Sequence, residues 1–489
     1  MKKEKTANLC HILWKIFPFI GTAIWGVFCI TDNLGYDEAY TAALISHPVG
    51  ELVEITAQDV HAPFYYILLK AFCSLCRPIT FLAGDGYHFW PMKLFSLLFM
   101  SAYLFLGKYL VKKLFDEQTS VYFMFFSLLM PSMCTQAGNV RMYAMGLFFF
   151  TAAGLLACDI LRGSTGRKWI LFTLCGIGSV YSHTFSMIET FLLYLILLGA
   201  LLGQKKYLLL KWYLASGLTV SVCYLLWLRV LFRQMQDRLD TMTEALAPTI
   251  YTPMDYFAEW FSNPLGPIPL AVYLGMALTV FLGYYAVGQM QRSRNYAAAW
   301  AMGILGLTTV TGYLLSYRVA SCFMGRYIFF GFGGLALWYA VGMKGIHSRK
   351  VKTTVTALFL LCFVLQYRWE LKMEYGSGLR EYENFYESSV KPQDMIMAMS
   401  VHALYLNVYH PDRPYMVYGS LPAFSPFYNT AVFQQWEQLA DVQGDIWVYT
   451  LDNFQLPDFA PTYLCEHVFS FEYMTLQFQI YRLIPTAVQ

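Results

Sequence analysis

The chain has 489 residues, of which 57% are hydrophobic and 13% are charged, and its mean hydropathy is +0.44. A soluble domain has about a quarter charged residues, so this composition excludes a soluble globular protein. The formal net charge of +3 hides an asymmetry, because the tail from Glu374 has thirteen acids and four bases, a net of −9, and the remainder carries +12. The basic excess lies in short loops, which is typical of a membrane orientation signal and not of a nucleic-acid surface.

Apolar stretches of about twenty residues, long enough to cross a bilayer as helices, recur along the chain. They predict a polytopic α-helical membrane protein with about eleven transmembrane helices. The predicted spans lie near residues 9–30, 91–110, 119–134, 141–160, 169–183, 187–203, 210–231, 267–288, 296–316, 325–342 and 353–369.

Clusters of lysine and arginine assign sides to the loops, because such clusters favour the cytoplasm. They lie near residues 2–5, 108–113, 162–168, 205–211, 292–294 and 344–352. An even number of spans fits between successive clusters. The chain is therefore predicted to be a multi-pass protein of the cell membrane, with a cytoplasmic N-terminus and an extracytoplasmic tail.

The apolar stretch 63–82 does not fit this scheme as a span. A third crossing in the first interval would place the basic residues 108–113 outside, against the charge rule. We therefore predict a helix that lies along the outer interface, or is re-entrant, within a long first external loop at 31–90.

This first external loop is acidic. The stretch "YDEAYTAAL" contains the adjacent carboxylates Asp37 and Glu38, and "DVHAPFYY" adds Asp59 and His61. Adjacent residues on a helix point about 100° apart, so only one acid of the pair can face a given pocket. One interpretation is that the acids cap a short helix. The other is that Asp37 is a general base for a hydroxyl while Glu38 binds or orients a partner.

Several bases lie near the outer ends of spans, against the charge rule: Lys93, Arg141, Arg233, Arg238, Arg318 and Arg326. Desolvating an ionisable group is costly unless a counter-charge pairs with it, so such residues are functional candidates. Arg318 and Arg326 flank one short external turn, which predicts a phosphate between them, held by bidentate hydrogen bonds. The alternative for Arg141 is that its side chain snorkels to the outer headgroups.

Two further polar side chains lie at outer ends of spans: Tyr143, two residues after Arg141, and His183 in "YSHTFS". Together with Asp59 and His61 they are predicted to bind the donor or the acceptor of a reaction. For His183 the alternative is a packed, hydrogen-bonded core side chain. The sequence contains no zinc-ligand spacing, Walker loop or dinucleotide glycine pattern.

From about residue 371 the pattern changes to short alternating stretches broken by Pro, Gly and Asp. The stretches "QDMIMAMS", "PYMVYGS" and "DIWVYT" predict strands, and "NFYESSVK" and "AVFQQWEQLADV" predict helices. We therefore predict a membrane domain at 1–370 and a small extracytoplasmic α/β or α+β domain at 371–489. The second domain has no catalytic motif, and its predicted role is to cover the site or to recognise an acceptor.

Five segments in chain order, "YDEAYTAAL", "DVHAPFYYILLK", "NVRMYAMGLFF", "YSHTFS" and "GRYIFF", resemble the signature of GT-C glycosyltransferases of the protein O-mannosyltransferase type, family 39. The bacterial branch of this family includes the aminoarabinose transferase of lipid A. The resemblance covers roughly residues 10–335. It implies an inverting transferase that moves a sugar from a polyprenyl-phosphate-linked donor to a glycan, lipid or protein acceptor at the outer face of the membrane. It places the family's catalytic acid on Asp37 and the adjacent acid on Glu38.

Three positions depart from the family pattern. Ala62 replaces the first Pro of the family's "HPP" element, Asn139 replaces a Glu two residues before Arg141, and Lys93 replaces an Arg. No metal or other cofactor is expected, because arginine and lysine can neutralise the donor phosphate. The residues predicted to do so are Lys93, Arg141, Arg318 and Arg326. The alternatives are a transporter or flippase of lipid-linked saccharide and a non-catalytic GT-C-like scaffold.

Overall fold

The computed structural model of the chain describes residues 2–31, 33–59, 61–82, 89–242, 269–318, 323–376, 378–417, 430–432, 439, 442, 444–451, 463–473 and 476–485. The side chains of Arg238 and Arg318 lie outside the described residues, and so does most of the predicted helix 431–442.

Helices dominate the described chain. In chain order they are α1 (Lys2–Gly26), α2 (Tyr36–Ser46), α3 (Val49–Gln58), α4 (Phe64–Leu82), α5 (Trp90–Leu106), α6 (Glu117–Leu129), α7 (Pro131–Gly138), α8 (Tyr143–Arg162), α9 (Gly166–Ser182), α10 (Thr184–Gly203), α11 (Leu210–Met242), α12 (Pro269–Ser293), α13 (Ala297–Arg318), α14 (Phe332–Gly345), α15 (Arg349–Glu374), α16 (Gly378–Ser389) and α17 (Ser400–Tyr409). The strands are β1 (Met395–Ala398), β2 (Tyr415–Val417), β3 (Thr430–Val432), β4 (Ile446–Leu451), β5 (Tyr463–Tyr473) and β6 (Leu476–Pro485).

Within the described residues, nine helices are long and apolar enough to cross a membrane, so the chain is a multi-pass membrane protein. Helices α6 and α9 lie at two further predicted spans, but they have only 13 and 17 residues. A straight crossing needs about twenty residues, so the count of eleven spans stays a prediction. Helix α4, predicted to lie along the interface, is not among the nine.

The chain divides into two compact units, and the first contains Met1–Ile30, Asp59–Phe72 and Trp90–Glu370. In this helical unit α8 packs against α5 and α9, and α14 packs against α6, α12 and α13. Ion pairs join these helices at the ends where the basic clusters lie. Asp159 pairs with Lys113 at 2.6 Å and Lys168 at 3.1 Å, and Asp116 pairs with Lys344.

The second unit contains Thr31–Gln58, Cys73–Phe89 and Leu371–Gln489. Its six strands form one mixed sheet in the order β3-β2-β1-β4-β6-β5, parallel from β3 to β4 and antiparallel for the two β6 pairs. The core of this sheet includes Met397, Leu439, Ile446, Val448 and Leu483. The predicted small domain with strands near 395, 415 and 446 is thereby confirmed, and the helix predicted near 384–391 overlaps α16, which begins earlier and ends at Ser389.

The second unit also contains a part of the chain that the sequence pattern placed in the membrane domain's external loop. Helix α2, with buried Ala39, Ala43 and Leu44, packs against α17. The small side chains of Ala39 and Ala43 leave room for close packing of the two helices. The acid-bearing helix is thus part of the same compact unit as the sheet.

Candidate active-site residues

The start of α2 is built around the acidic pair. Gly35 is the N-cap residue, and the side chain of Glu38 accepts a hydrogen bond from the Gly35 amide at 2.7 Å. An acid at the third helical position commonly satisfies this otherwise orphan donor. Glu38 therefore caps the helix, as one of the two interpretations predicts. A role of Glu38 in binding a partner stays a prediction.

Asp37 lies in the first turn of α2 and is half-buried. Its backbone carbonyl accepts the Thr41 hydroxyl at 3.0 Å. Because Glu38 serves the cap, Asp37 is the acid of the pair that suits the role of base.

The turn before α2 is held by side chains from later parts of the same unit. The Leu34 amide donates to the Tyr409 hydroxyl at 3.1 Å, and the Tyr473 hydroxyl donates to the Leu34 carbonyl at 2.9 Å. Asn33 donates through its side-chain amide to the Glu374 carbonyl at 2.5 Å. No sequence motif marks either tyrosine.

Tyr405 and Tyr473 are buried beside this turn. Burial is the main cause that raises the pKa of each phenol well above its ordinary value, and the Glu38 carboxylate acts in the same direction. Both hydroxyls therefore remain protonated at physiological pH. The only hint in the sequence is the four-residue spacing of Tyr405 and Tyr409, which places them on one face of α17.

A second group of predicted residues lies in the first unit, around His183. This histidine is buried at the junction of α9 and α10, and its Nδ1 accepts the Phe185 amide at 3.1 Å. Because Nδ1 is an acceptor, Nε2 carries the proton of the neutral ring. His183 is therefore a packed, hydrogen-bonded core side chain, as the alternative interpretation predicts. Its Nε2–H group is still able to donate a hydrogen bond.

Aromatic rings surround His183. The distances between ring centroids are 4.5 Å to Tyr327, 5.2 Å to His61, 5.2 Å to Phe330 and 6.2 Å to Tyr143. The structure thus brings together three of the residues predicted to bind donor or acceptor. Tyr327 and Phe330 were not predicted, although both lie in "GRYIFF".

Two of the predicted phosphate-binding arginines approach the same histidine. The guanidinium groups of Arg141 and Arg326 both act on His183 electrostatically. The guanidinium carbon of Arg326 is 5.9 Å from the centre of the Tyr327 ring. Arg141 is only 5% exposed, so it does not reach out to headgroups as the snorkelling alternative requires.

Lys93 is 1% exposed in the first turn of α5. One turn later, the Ser96 hydroxyl donates to the Asn139 carbonyl at 2.6 Å, which joins this end of α5 to the loop that carries Arg141. Asp59 is buried two residues before His61. Lys93 and Arg141 are therefore two buried bases of this unit, and Asp59 is a buried acid.

One predicted phosphate-binding side chain is not described. Arg318 is the last residue of α13, and its side chain lies outside the described residues. Arg233 is exposed. Over the described parts of the chain, no group of three or more His, Cys, Asp or Glu side chains is arranged to hold a metal ion.

The segment Gly325–Gly331, which carries Arg326 and Tyr327, is a 3-10 helix leading into α14. It is tightly packed at its end. A Cβ atom built on Gly331 would lie 3.0 Å from Oε1 of Glu189 and 2.9 Å from Cδ1 of Leu305. Glu189 is fully buried in α10 and was not predicted, although a lone acid in an apolar span is a signal in itself.

Comparison with known proteins gives a match in structure but none in sequence. The chain superimposes on the crystal structure of ArnT from Cupriavidus metallidurans in the apo state with a TM-score of 0.61 at 11% identity, covering 95% of this chain and 97% of that chain. The TM-score is 0.62, at the same identity and coverage, for ArnT bound to undecaprenyl phosphate. No protein-family model and no curated protein sequence matches the chain. The chain therefore has the fold of ArnT, a GT-C glycosyltransferase.

Proposed function

We propose that the chain is an inverting glycosyltransferase that moves a sugar from a polyprenyl-phosphate-linked donor to a cell-envelope or protein acceptor at the outer face of the membrane. The observation that carries this proposal is that two predicted phosphate-binding bases, Arg141 and Arg326, both act on His183, and that a third, Lys93, is buried in the same unit. Positive charge is costly at membrane depth unless an anion compensates it. A lipid phosphate is an anion that such bases bind, and its polyprenyl chain can stay in the bilayer. The ArnT structure bound to undecaprenyl phosphate supports this class of lipid.

The cleavage half of the reaction follows from these bases. The bond between the anomeric carbon and the phosphate oxygen breaks, and its electron pair leaves with the phosphate. Arg141 and Arg326 can each donate two parallel hydrogen bonds to phosphate oxygens, whereas Lys93 acts as a point charge. Fixed donors of this kind contribute about 3–4 kcal/mol each to stabilising the transition state.

The transfer half needs a base, which we assign to Asp37. It takes the proton of the acceptor hydroxyl as that oxygen bonds to the anomeric carbon. The sugar passes through an oxocarbenium-like state, as in glycoside hydrolysis. General-base assistance accelerates such a step by about 10²–10⁴-fold.

The remaining candidates have binding roles in this proposal. Nε2 of His183 donates a hydrogen bond to the sugar or phosphate, and the Tyr143 ring offers an apolar face. Asp59 and His61 bind a polar group of the donor or acceptor. Because the chain supplies its own cations, transfer is proposed to need no metal ion.

The proposal is tested with purified protein in detergent. Mass spectrometry should detect a co-purifying polyprenyl phosphate, and a synthetic polyprenyl-phosphate sugar should be transferred or hydrolysed without any ion gradient, also in the presence of EDTA. Movement of the intact lipid-linked sugar between vesicle leaflets, without cleavage, would instead establish the transporter alternative.

A further inference from the structure

The domain after Leu371 has no catalytic motif, yet its side chains hold the turn that leads into the acid-bearing helix. Leu34 is fully buried, and both of its backbone polar groups bond to tyrosine hydroxyls. Its amide donates to Tyr409 at 3.1 Å, and its carbonyl accepts from Tyr473 at 2.9 Å. Leu34 is only three residues before Asp37. The two hydroxyls therefore fix the backbone immediately before the candidate base.

Neighbouring contacts extend this attachment along the turn. Asn33 donates to the Glu374 carbonyl at 2.5 Å, and the Thr31 hydroxyl donates to the Glu374 carboxylate. On the other side of Leu34, the Gly35 amide donates to Glu38. Because the chain is tied on both sides of Leu34, removing the tyrosine hydroxyls should displace this turn slightly without releasing the whole loop.

The aromatic surroundings suit the two hydroxyls to this task. The ring of Tyr405 lies 6.4 Å from that of Tyr409 and 5.6 Å from that of Tyr473, centroid to centroid. Burial, with Tyr409 and Tyr405 as further causes, raises the pKa of Tyr473 well above its ordinary value. The Tyr473 hydroxyl thus remains a donor at physiological pH. Buried rings also exclude water that would compete for the Leu34 backbone.

We propose that Tyr409 and Tyr473 are positioning residues for Asp37, so that the C-terminal domain takes part in catalysis by fixing the turn before the base. This inference rests on the proposed function, because Asp37 has a catalytic position only if the chain transfers a sugar. A misplacement of about 1 Å far from the chemistry can lower a rate about 10²-fold. The tyrosines need not contact either substrate.

The test uses the full-length protein with Tyr409→Phe, Tyr473→Phe and the double variant, because Phe keeps the ring and removes only the hydroxyl. The double variant should lower kcat about tenfold or more, with the KM for the lipid donor unchanged. Tyr481→Phe is the matched control, since Tyr481 lies half-buried on β6 of the same domain. It should leave kcat unchanged.

Two further readouts separate positioning from a general loss of structure. Amide hydrogen exchange in a peptide covering residues 33–38 should become several-fold faster in the double variant and stay unchanged in Tyr481→Phe. In an Asp37→Asn background the two Phe substitutions should lower the residual rate no further, because they act through Asp37.

Each result decides the proposal. Unchanged exchange in this peptide, unchanged kcat, or an undiminished effect in the Asp37→Asn background would overturn it. If the double variant fails to fold, the same three readouts are applied to Tyr409→Phe alone. A wild-type protein that shows no transfer would overturn the proposed function, whereas the exchange data would still show whether the tyrosines fix the turn.

Discussion

At the residue scale, the two adjacent acids of the first loop divide their tasks. Glu38 accepts the Gly35 amide at 2.7 Å and so holds the start of α2. Asp37 shares the favourable field of the helix terminus without serving as this cap. Substitutions at the two positions should therefore have different consequences, although the residues are neighbours and of similar chemistry.

Asp37→Asn should lower transfer at least about a hundredfold while donor binding is largely kept, because the change preserves shape and removes basicity. Single-turnover kinetics together with a lipid-binding measurement would check this. The matched control is Glu38→Gln, whose side-chain carbonyl can still accept the Gly35 amide and which should retain most activity. Near-normal turnover of Asp37→Asn would remove this residue from the role of base.

Arg326→Lys should lower activity even though it keeps the charge, because the bidentate fork is lost. Arg326→Ala should raise the donor KM and slow transfer together, which steady-state kinetics with varied donor would measure. Arg292→Ala is the control, since Arg292 is exposed in the last turn of α12, hydrogen-bonded to His347 at the end predicted to be cytoplasmic. If Arg326→Ala weakened only acceptor binding, the phosphate would have to be placed elsewhere.

At the scale of elements, the 3-10 helix Gly325–Gly331 shows how tight packing fixes a functional side chain. It presents Arg326 and Tyr327 at one end and is closed at the other by Gly331 against Glu189 and Leu305. If this segment were an α-helix from Gly325 onward, the side chains of Arg326 and Tyr327 would point in different directions. The contact at Gly331 therefore affects where Arg326 lies.

Gly331→Ala should destabilise the protein by about 1–3 kcal/mol, because the added methyl group meets atoms at 2.9 and 3.0 Å. It should also lower donor affinity through the shifted Arg326. Gly303→Ala in α13 is the control, since a Cβ atom there meets nothing within 4 Å. Thermal unfolding in detergent would compare the two. Equal stability of the two variants would show that the Gly331 contact relaxes without cost.

Helix α4 gives a topological prediction. If it lies on the outer interface or is re-entrant, an impermeant thiol reagent should reach cysteines introduced at the exposed Gln58 and at Gly86, which lies outside the described residues, from outside intact cells. The background should lack Cys73 and Cys76, which lie within α4. Labelling of the Gly86 position only after permeabilisation would show that α4 crosses the bilayer, and the predicted topology would be wrong.

At the scale of the whole molecule, the chain order of segments does not follow the two compact units. Residues 31–58 and 73–89 group with the sheet that begins more than three hundred residues later. The second unit is thereby both the carrier of the candidate base and a folded domain with its own core. Its stability should influence activity directly.

Asp394 tests the stability of that unit. It is buried and accepts hydrogen bonds from the Lys391 amide at 2.8 Å, the Asp445 amide at 3.0 Å and Trp447 Nε1 at 3.0 Å. Burial alone would raise its pKa, but these hydrogen bonds hold the pKa below the ordinary value of 3.8. Because the folded form binds the proton less readily than the unfolded one, this stabilisation is present above about pH 4 and is lost as the pH falls through the folded pKa.

Asp394→Asn should therefore destabilise the second unit at pH 7, and its deficit relative to the wild type should shrink below about pH 4. Hydrogen exchange of peptides covering β1 and β4, measured at several pH values, checks this. Asp412→Asn, at an exposed turn of the same domain, serves as the control. A deficit that is independent of pH would mean that the carboxylate charge is not what stabilises the unit.

Residue order by itself determined the membrane class, the positions of the nine membrane-capable helices found among the described residues, and the existence of a small mixed domain at the C-terminus. These features depend on hydropathy and on local periodicity, which are properties of contiguous residues. The same local information identified His61, Tyr143, His183, Arg141 and Arg326 as candidates, because ionisable and polar groups stand out in an apolar chain. Comparison with ArnT confirmed the predicted type of fold.

Only the tertiary structure decided how these residues are grouped and supported. The ring contacts of His183 with His61 and Tyr327 join segments more than a hundred residues apart, and the pairing of Leu34 with Tyr409 and Tyr473 spans most of the chain. Such contacts depend on the packing of whole elements, and a tyrosine that bonds a distant backbone has no distinctive sequence neighbours. Local patterns therefore indicate which side chains are unusual, whereas packing determines which of them act together.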